Sequence, residues 1–287
     1  MKINNPGNWS TARFPTYNMS YQFPKRPSDR WSVGVVLRFL KPEKVVEILA
    51  SLLLEKQVVI MSDSPAKATA VCTALMLLLA PFQWQSTYIP LLPSGLLDFL
   101  HSPVPFLAGC HSLDDTSEWV DVCFYDIDKD VITLPAVTRH LGPTSIPNGV
   151  ELCRLFRTAR ERFCALRTTG KPWYELSDEE DKIITLTLQE SEIFLRDLGF
   201  DISSQDLAAS ISGGNLLLED TFIERSLTDF ALLWTGGKSF YDRLQEEVAK
   251  EVRNSIYEDY LDEFTQTQLF CQYYESLLQP EAQEARH

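Results

Sequence analysis

A short β-branched run stands directly before an almost wholly apolar helix, and this pair limits the folds open to the chain. The run QVVIMS (57–62) has the composition of a strand buried on both faces of a sheet. The helix predicted over 65–80 has hardly any polar face, so it must be covered on more than one side. Pro65 suits its first turn, and Ser62 or Asp63 can cap it. The pair therefore predicts a sheet with a helical layer packed against it.

The neighbouring segments continue this alternation of helix and strand. A helix with one apolar face is predicted over 41–56, and short apolar runs at 86–92 and 104–110 are predicted strands. Residues 118–135 alternate as strand, turn and strand, with the turn at 128–130. This order of elements predicts an α/β fold with a mostly parallel sheet flanked by helices.

Helices dominate the second half of the chain. The pairs Asn148/Glu151 and Ser177/Glu180 have capping-box spacing, and each precedes a long stretch with helical periodicity. We expect the second of these helices to end at Gly199. More helices are predicted further on, with a break at the glycine pair 236–237. The C-terminal part is therefore predicted to be all-helical.

Three parts follow from this organisation. Residues 1–30 show no helical or strand period and are predicted to be an extended linker. Residues 31–168 are predicted to form the α/β core, and residues 169–287 the helical part.

Composition excludes several classes of protein. The 287 residues carry a formal net charge of −14, which disfavours a nucleic-acid partner. The six cysteines form no C-x-x-C pair and are predicted to be buried free thiols, as in a reducing compartment. The N-terminus has no apolar signal segment, and the most apolar run (70–82) is shorter than the roughly 20 residues of a membrane span. We therefore expect a cytoplasmic protein.

No constellation for bond-breaking chemistry is evident. The turn around Ser62 lacks the flanking glycines of a nucleophile elbow, and no glycine-rich phosphate loop is present. His101, Cys110 and His111 are separated by a segment predicted to be extended, which disfavours a shared metal ion. We predict neither a metal nor a cofactor.

Two clusters of charge leave alternatives open. Asp126 and Asp128 alternate on one predicted strand, where paired carboxylates serve acid–base chemistry, bind magnesium, or simply stand solvated at a turn. The solvated turn is the favoured interpretation. The helix predicted over 149–167 carries arginines opposite its apolar stripe, which indicates either a solvated face with ion pairs or contact with an acidic lipid or partner. These are Arg154, Arg157, Arg160, Arg162 and Arg167.

Several separate motifs, in this order, resemble those of one family. They are LLLEKQVVIMSDSP (52–65), LMLLLAPFQWQSTYIPLLP (75–93), LLDFLHSPVPFLAGC (96–110), FYDIDKDVI (124–132) and YLDEFTQTQLFCQYYESLL (260–278). The chain resembles the central and downstream segments of DENN domains. The positions that match the family signature are Trp84, Tyr88, Pro90, Pro93, Pro103, Pro105, Phe106, Gly109, Phe264, Thr267, Gln268 and Phe270.

The resemblance implies a fold and a function. It implies an α/β core with helices on both faces, followed by a helical end. Many DENN proteins are guanine-nucleotide exchange factors that bind Rab-type small GTPases and promote GDP release. The resemblance therefore implies no bond-making or bond-breaking chemistry, a cytoplasmic location peripheral to vesicle or endosomal membranes, and transient membrane association through partners.

It also suggests roles for particular residues. Trp84, Tyr88 and Phe106 are expected to fill the core, with acceptors for the indole N–H and the phenol O–H. Contacts with the GTPase are expected at exposed loop positions, namely Asp63, Ser64, Asp126 and Asp128.

Complete DENN modules begin with a longin-like lobe, and residues 1–30 show no such unit. We therefore expect exchange to need a longin-like lobe or partner protein. The alternative is a DENN-fold scaffold subunit of a trafficking or signalling complex without exchange activity. Relatives that activate GTPases use an arginine finger, for which Arg139 on the loop 135–147 is the candidate. A diverged α/β hydrolase using Ser62 is the remaining alternative.

Overall fold

In the computed structural model, the described residues are 9–14, 19–24, 29–138, 141–166, 175–196, 198 and 256–278. Four sets of predicted residues lie outside these ranges: Arg139, Arg167, Gly199 and the glycine pair 236–237. The structure therefore does not test the predictions made for them.

The N-terminal residues contain a β-hairpin. Strands β1 (Trp9–Phe14) and β2 (Met19–Pro24) pair in antiparallel register, with Trp9 opposite Pro24 and Phe14 opposite Met19. The described part of residues 1–30, which we expected to be an extended linker without periodic structure, therefore contains two paired strands. Polar residues interrupt the apolar alternation in both segments, but backbone pairing does not require that alternation, and aromatic residues favour extended conformations.

The central sheet has five strands. They are β3 (Val58–Met61), β4 (Thr87–Ile89), β5 (Phe106–Cys110), β6 (Cys123–Asp126) and β7 (Val131–Thr133). Their order is β4–β5–β3–β6–β7, with β4, β5, β3 and β6 parallel and β7 antiparallel to β6. Every residue of β3, β5 and β6 is buried, as in a sheet covered on both faces. The predicted mostly parallel sheet is confirmed.

α-Helices flank this sheet and make up the described secondary structure from residue 149 onward. They are α1 (Trp31–Phe39), α2 (Pro42–Leu53), α3 (Pro65–Leu78), α4 (Gly149–Leu166), α5 (Asp178–Arg196), α6 (Glu258–Phe264) and α7 (Gln268–Leu278). Helix α3 contacts β3 and β5, and α1 packs against α3 and α4. Among the described helices, none has the length and apolar character that crossing a bilayer requires.

The connections between parallel strands use both faces. The chain runs from β3 to β4 in one direction across the sheet, then back through β5 to β6. Right-handed crossovers place α3 on one face and the two later connections on the other. Accordingly Ile60 and Leu107 belong to the core shared with the α-helices, whereas Val59 and Phe106 face a second core. A 3-10 helix (Ser94–His101) and the β5–β6 connection cover that second face.

Two predicted helix starts have different outcomes. Ser177 and Glu180 form the predicted capping box, because Ser177 N donates to Glu180 Oε2 (2.7 Å) and Glu180 N donates to Ser177 Oγ (3.3 Å). For α3, the prediction that Ser62 or Asp63 caps the helix is wrong. The N-cap residue is Ser64, which makes no side-chain capping bond. Ser62 and Asp63 are engaged elsewhere.

Candidate functional site

The carboxyl ends of β3, β5 and β6 meet at one edge of the sheet. The chain leaves β3 toward the α3 face and leaves β5 toward the opposite face, so these adjacent strands form a topological switch point. In open α/β sheets, ligands bind in the crevice at such a point. Ser62 N donates to Cys110 O (3.2 Å) here and continues the β3–β5 pairing by one residue.

A charged group occupies this edge beside the switch point. The Asp128 carboxylate accepts hydrogen bonds from Ser62 Oγ (2.7 Å) and Asp63 N (2.8 Å) through Oδ2, and from Lys67 Nζ through Oδ1. We call these four residues the Asp128 cluster. It joins the turn after β6 to the loop after β3 and to the first turn of α3.

The ionisation of Asp128 follows from these contacts. Partial burial raises the pKa of its carboxyl, but hydrogen bonds from Lys67, Ser62 and the Asp63 amide outweigh burial and hold the pKa at about 2. Asp128 is therefore anionic at neutral pH, and its charge is matched by Lys67 within the cluster.

Asp126 is not an exposed contact residue, and the prediction that it lies exposed on a loop is wrong. It is the last residue of β6 and only 4% exposed. Its Oδ1 accepts the amides of Asp128 and Lys129 (both 3.0 Å), and its Oδ2 lies 3.0 Å from Lys129 Nζ. A carboxylate that closes a turn in this way is typical of an Asx-type turn. The sequence favoured a solvated turn at this position and did not reveal that the carboxylate of Asp126 is buried at the end of β6.

The other three predicted contact residues are accessible at this edge, and Asp128 is itself exposed. Asp63 is exposed and joins the Asp128 cluster through its backbone amide, while Ser64 is half-buried with its N–H donating to Ser62 Oγ (3.1 Å). Thus the structure brings Asp63, Ser64 and Asp128 together at one edge. Their role in binding a partner stays a prediction.

Ser62 and the side chains considered for metal binding make contacts within the fold. Ser62 is completely buried and donates its hydroxyl to Asp128. His101 lies beside Glu118, with 3.9 Å between Nε2 and Oε1, while Cys110 ends β5 and is buried. Within the described ranges, no group of three or more His, Cys, Asp or Glu side chains has an arrangement that holds a metal ion.

The three signature aromatic residues differ in burial. Phe106 is fully buried, as predicted. Trp84 is half-buried and donates its indole N–H to Thr87 O (3.2 Å). Tyr88 is 37% exposed, so its predicted place in the core is wrong; its hydroxyl lies 3.1 Å from Thr73 Oγ1 on α3. Tyr88 sits on β4, which among the described strands pairs with β5 alone and so forms an edge of the sheet.

Close packing explains why a glycine stands at signature position Gly109. A Cβ at this position would lie 2.4 Å from Pro90 O and 3.2 Å from Cys72 Sγ. The chain after β4 therefore passes so close to β5 that only glycine fits, and Leu92 N donates to Gly109 O (2.6 Å).

The C-terminal signature residues attach α6 and α7 to the core. Phe264 and Phe270 are fully buried, and Thr267 Oγ1 donates to Phe264 O (2.7 Å) and accepts from Phe270 N (3.2 Å). Gln268 N donates to Glu55 Oε2 (3.1 Å), and Leu269 N donates to Glu55 Oε1 (3.0 Å). Glu55 thus caps α7 from the α2–β3 turn, where it has a positive φ of 51°. We did not predict this role, because no local feature of the sequence indicates so distant a partner.

Some of the arginines of α4 make contacts with other parts of the fold. Arg157 pairs with Glu43 of α2, and Arg160 donates to Leu40 O. Arg154 and Arg162 line a groove between α4 and α5 of about 320 Å³, together with apolar residues such as Leu186 and Phe194. The arginine face is therefore both an interhelical contact and a solvated surface.

Comparison with known proteins agrees with the sequence motifs. Residues 6–130 match the family model of the DENN (AEX-3) domain. Over this stretch the chain is similar to the DENN domain, and the predicted resemblance is confirmed.

Two curated relatives carry the same domain name. "DENN domain-containing protein 2A" from Mus musculus is 43% identical over 70 residues, which are 24% of this chain and 7% of that protein. "DENN domain-containing protein 3" from Mus musculus is 36% identical over 113 residues, which are 38% of this chain and 9% of that protein. The matched part thus spans less than a tenth of either relative.

Proposed function

We propose that this chain is a DENN module that binds a Rab-type small GTPase and promotes release of its GDP. The observation that carries the proposal is the match of residues 6–130 to the DENN domain, since members of this family are generally Rab exchange factors. The module acts by binding and makes or breaks no covalent bond.

The physical basis is a preference for one state of the partner. A ligand shifts an equilibrium only by the difference between its affinities for the two states. An exchange factor therefore has to hold the GTPase in a shape that binds GDP poorly. The hydrogen bonds of the Asp128 cluster fix the loop that carries Asp63 and Ser64. A preorganised surface loses less conformational entropy when it captures a partner, and this supports GTPase contact at the switch-point edge.

The proposal includes an organisation and a location. Residues 31–168 act as the α/β core and residues 169–287 as the helical downstream part. A longin-like lobe, or a partner protein with that fold, completes the GTPase site. The module is cytoplasmic and reaches vesicle or endosomal membranes through its partners.

One observation favours a second candidate, a DENN-fold scaffold subunit without exchange activity. Asp126 and Asp128, two of the four predicted contact residues, already have hydrogen-bond partners within the fold. Carboxylates that are already bonded within the fold are less available to bind a GTPase switch region, and a scaffold does not need them for that purpose.

Release of labelled GDP from a panel of Rab proteins tests the proposal. The 287-residue chain is compared with the same chain carrying a longin-like lobe upstream, each with and without Asp63→Arg. At least one Rab should release GDP faster with the lobe-containing form, and Asp63→Arg should reduce that rate about fivefold or more, a typical loss for a contact worth about 1 kcal/mol.

Asp259→Arg is the matched control, because Asp259 is an exposed aspartate on α6, far along the chain from the switch-point edge. Binding of a Rab without faster release in either form favours the scaffold. Absence of Rab binding across the panel contradicts the proposal. Cleavage of ester probes that is lost on Ser62→Ala would instead favour the α/β hydrolase alternative.

A further inference from the structure

The face of the sheet opposite α3 is covered by a 3-10 helix and loops. Its strand residues include Val59, Phe106 and Phe124, which are at most 1% exposed. The segments above them are the 3-10 helix with its following loop (residues 94–104) and the β5–β6 connection (residues 111–122), together called the cover layer. No α-helix occurs in these described segments, although sheets of parallel strands are usually covered by α-helices on both faces.

The inner side of the cover layer is well packed. The rings of Phe99 and Phe106 lie 5.1 Å apart, and those of Trp119 and Phe124 lie 6.0 Å apart. The rings of His101 and Trp119, 5.8 Å apart, join the two segments to each other. The layer is therefore a continuous, ordered surface.

The outer side of the cover layer exposes apolar side chains. Leu96 is 58% exposed, Val104 is 47% exposed and Val120 is 70% exposed. Val104 and Val120 precede the parallel strands β5 and β6, so both lie at the amino-terminal edge of the sheet. Gln57 links their segments, because its Nε2 donates to Val104 O (3.4 Å) and its backbone carbonyl accepts from Cys123 N (2.9 Å).

The same surface is acidic and contains no lysine or arginine. Residues 91–122 include five acidic residues, all exposed: Asp98, Asp114, Asp115, Glu118 and Asp121. Two lysines just outside this range already pair with carboxylates, Lys56 with Glu263 and Lys129 with Asp126. The cover layer therefore presents apolar groups within a region of net negative charge.

Two buried polar atoms in the cover layer also have no hydrogen-bond partner among the described residues. They are Ser112 Oγ and Trp119 Nε1, and Trp119 as a whole is only 9% exposed. Buried polar groups are normally satisfied in folded proteins.

We propose that the cover layer is a docking surface for a basic, apolar segment of a partner protein, such as an amphipathic helix with leucines on one face and lysines or arginines beside them. The apolar side chains of the segment cover Leu96, Val104 and Val120, and its cations face the five acidic residues. An anionic membrane is repelled by this surface, and a second copy of a chain with net charge −14 is repelled as well. Val104 and Val120 lie at the amino-terminal edge of the sheet, opposite the switch-point edge proposed to contact the GTPase.

A synthetic peptide tests this docking surface on the intact 287-residue chain. The probe is a fluorescent amphipathic helix of about 18 residues, made of leucine and lysine. A peptide of the same composition in scrambled order and a peptide with glutamate in place of lysine serve as comparisons. Binding is measured by fluorescence anisotropy, and the site is located by amide hydrogen exchange.

Two sets of variants separate this site from general attraction to an acidic protein. The double substitution Glu118→Lys with Asp121→Lys changes the charge of the cover layer, and Val120→Ser removes its most exposed apolar group. The double substitution Asp259→Lys with Asp262→Lys makes the same charge change on exposed positions of α6. All substituted side chains are exposed, so thermal unfolding is expected to remain close to that of the unsubstituted chain.

We expect the Glu118/Asp121 pair to weaken peptide binding about tenfold or more, Val120→Ser about threefold, and the α6 pair less than twofold. Amide protection should appear in residues 94–104 and 111–122. Equal losses from both charge pairs, equal binding of the scrambled peptide, protection elsewhere, or self-association abolished by Val120→Ser would overturn the proposal. Because these variants leave Asp63 and Ser64 intact, their effect on Rab GDP release is expected to be small, and either proposal can fail without the other.

Discussion

Asp128 shows how one carboxylate fixes the geometry of the proposed GTPase-contacting edge. Its two oxygens hold a hydroxyl, an amide and an ammonium group that belong to two different elements. Its folded-state pKa of about 2 lies below the value near 3.9 expected in an unfolded chain. The group therefore stabilises the fold above the unfolded pKa, and this contribution is lost as the pH falls from about 4 to about 2.

Asp128→Asn should lower the free energy of unfolding at pH 7 by about 1 kcal/mol, a value reduced for solvent screening because the side chain is 25% exposed. The difference from the unsubstituted chain should shrink toward zero near pH 2. Urea unfolding at pH 7, 4 and 2.5 measures both effects. Asp63→Asn is the control, because Asp63 enters the cluster through its backbone amide and should change stability by less than about 0.5 kcal/mol. A difference that is the same at pH 7 and pH 2.5 would contradict this account.

At this scale, sequence indicated where the edge residues would lie but not their burial. Asp63 and Asp128 follow strands that the β-branched runs predict, so their approach at one sheet edge follows from parallel pairing. The burial of Asp126 depends on backbone amides of the next turn, and the exposure of Tyr88 depends on the position of β4 at the sheet edge. Neither the turn geometry nor the strand order is encoded in local composition.

At the scale of elements, the close passage of the Pro90–Leu92 segment over β5 controls the packing of that edge. The position that permits it is Gly109, where any Cβ meets a backbone oxygen. A backbone atom cannot rotate away as a side chain can, so relief requires the two segments to separate.

Gly109→Ala is therefore expected to lower the free energy of unfolding by about 2–3 kcal/mol, as in other overpacked cores. Gly95→Ala, in the 3-10 helix, is the matched control because a Cβ there meets no atom within 4 Å. Chemical denaturation of both variants gives the comparison. Similar stability of the two variants would show that the Pro90 segment moves freely, contrary to the packing described here.

Helices and strands with strong apolar patterns were predicted from sequence, whereas the hairpin β1–β2 and the 3-10 helix were not. The strand β3 is a short β-branched run and the helix α3 is a longer apolar one, and this difference in length and composition separates strand from helix. The hairpin has mixed polar residues, and the 3-10 helix lies among prolines that usually mark turns. The conformation of the hairpin depends on strand pairing, and that of the 3-10 helix depends on its packing against the sheet. Neither follows from the local periodicity of apolar residues.

At the scale of the whole molecule, the C-terminal helices close over the region between α2 and β3. Tyr260 OH donates to Ala50 O (3.2 Å), and Glu55 caps α7. Phe264 contacts Phe82 in an edge-to-face arrangement with ring centroids 5.2 Å apart. The α/β core and the last two helices therefore share one hydrophobic core.

Phe264→Ala should lower the free energy of unfolding by about 3–4 kcal/mol, the usual range for removing a fully buried phenylalanine. Because the core is shared, the signals from the sheet and from the helices should shift together. Ile256→Ala is the control: Ile256 stands at the same end of the chain but is 88% exposed, so its loss should cost less than about 0.5 kcal/mol. Circular dichroism and tryptophan fluorescence during denaturation provide the two signals. Separate transitions would contradict a shared core.

The Glu55 cap also sets an order of events during synthesis. Its carboxylate and the Gln268 amide are 213 positions apart, so at about 5–20 residues per second the ribosome delivers the second group roughly ten to forty seconds after the first. Until then the turn at Glu55, held at an unfavourable backbone angle, has no helix end to neutralise its charge. Formation of this cap therefore has to wait for the synthesis of α7, and a nascent chain interrupted before α7 leaves the ribosome without it.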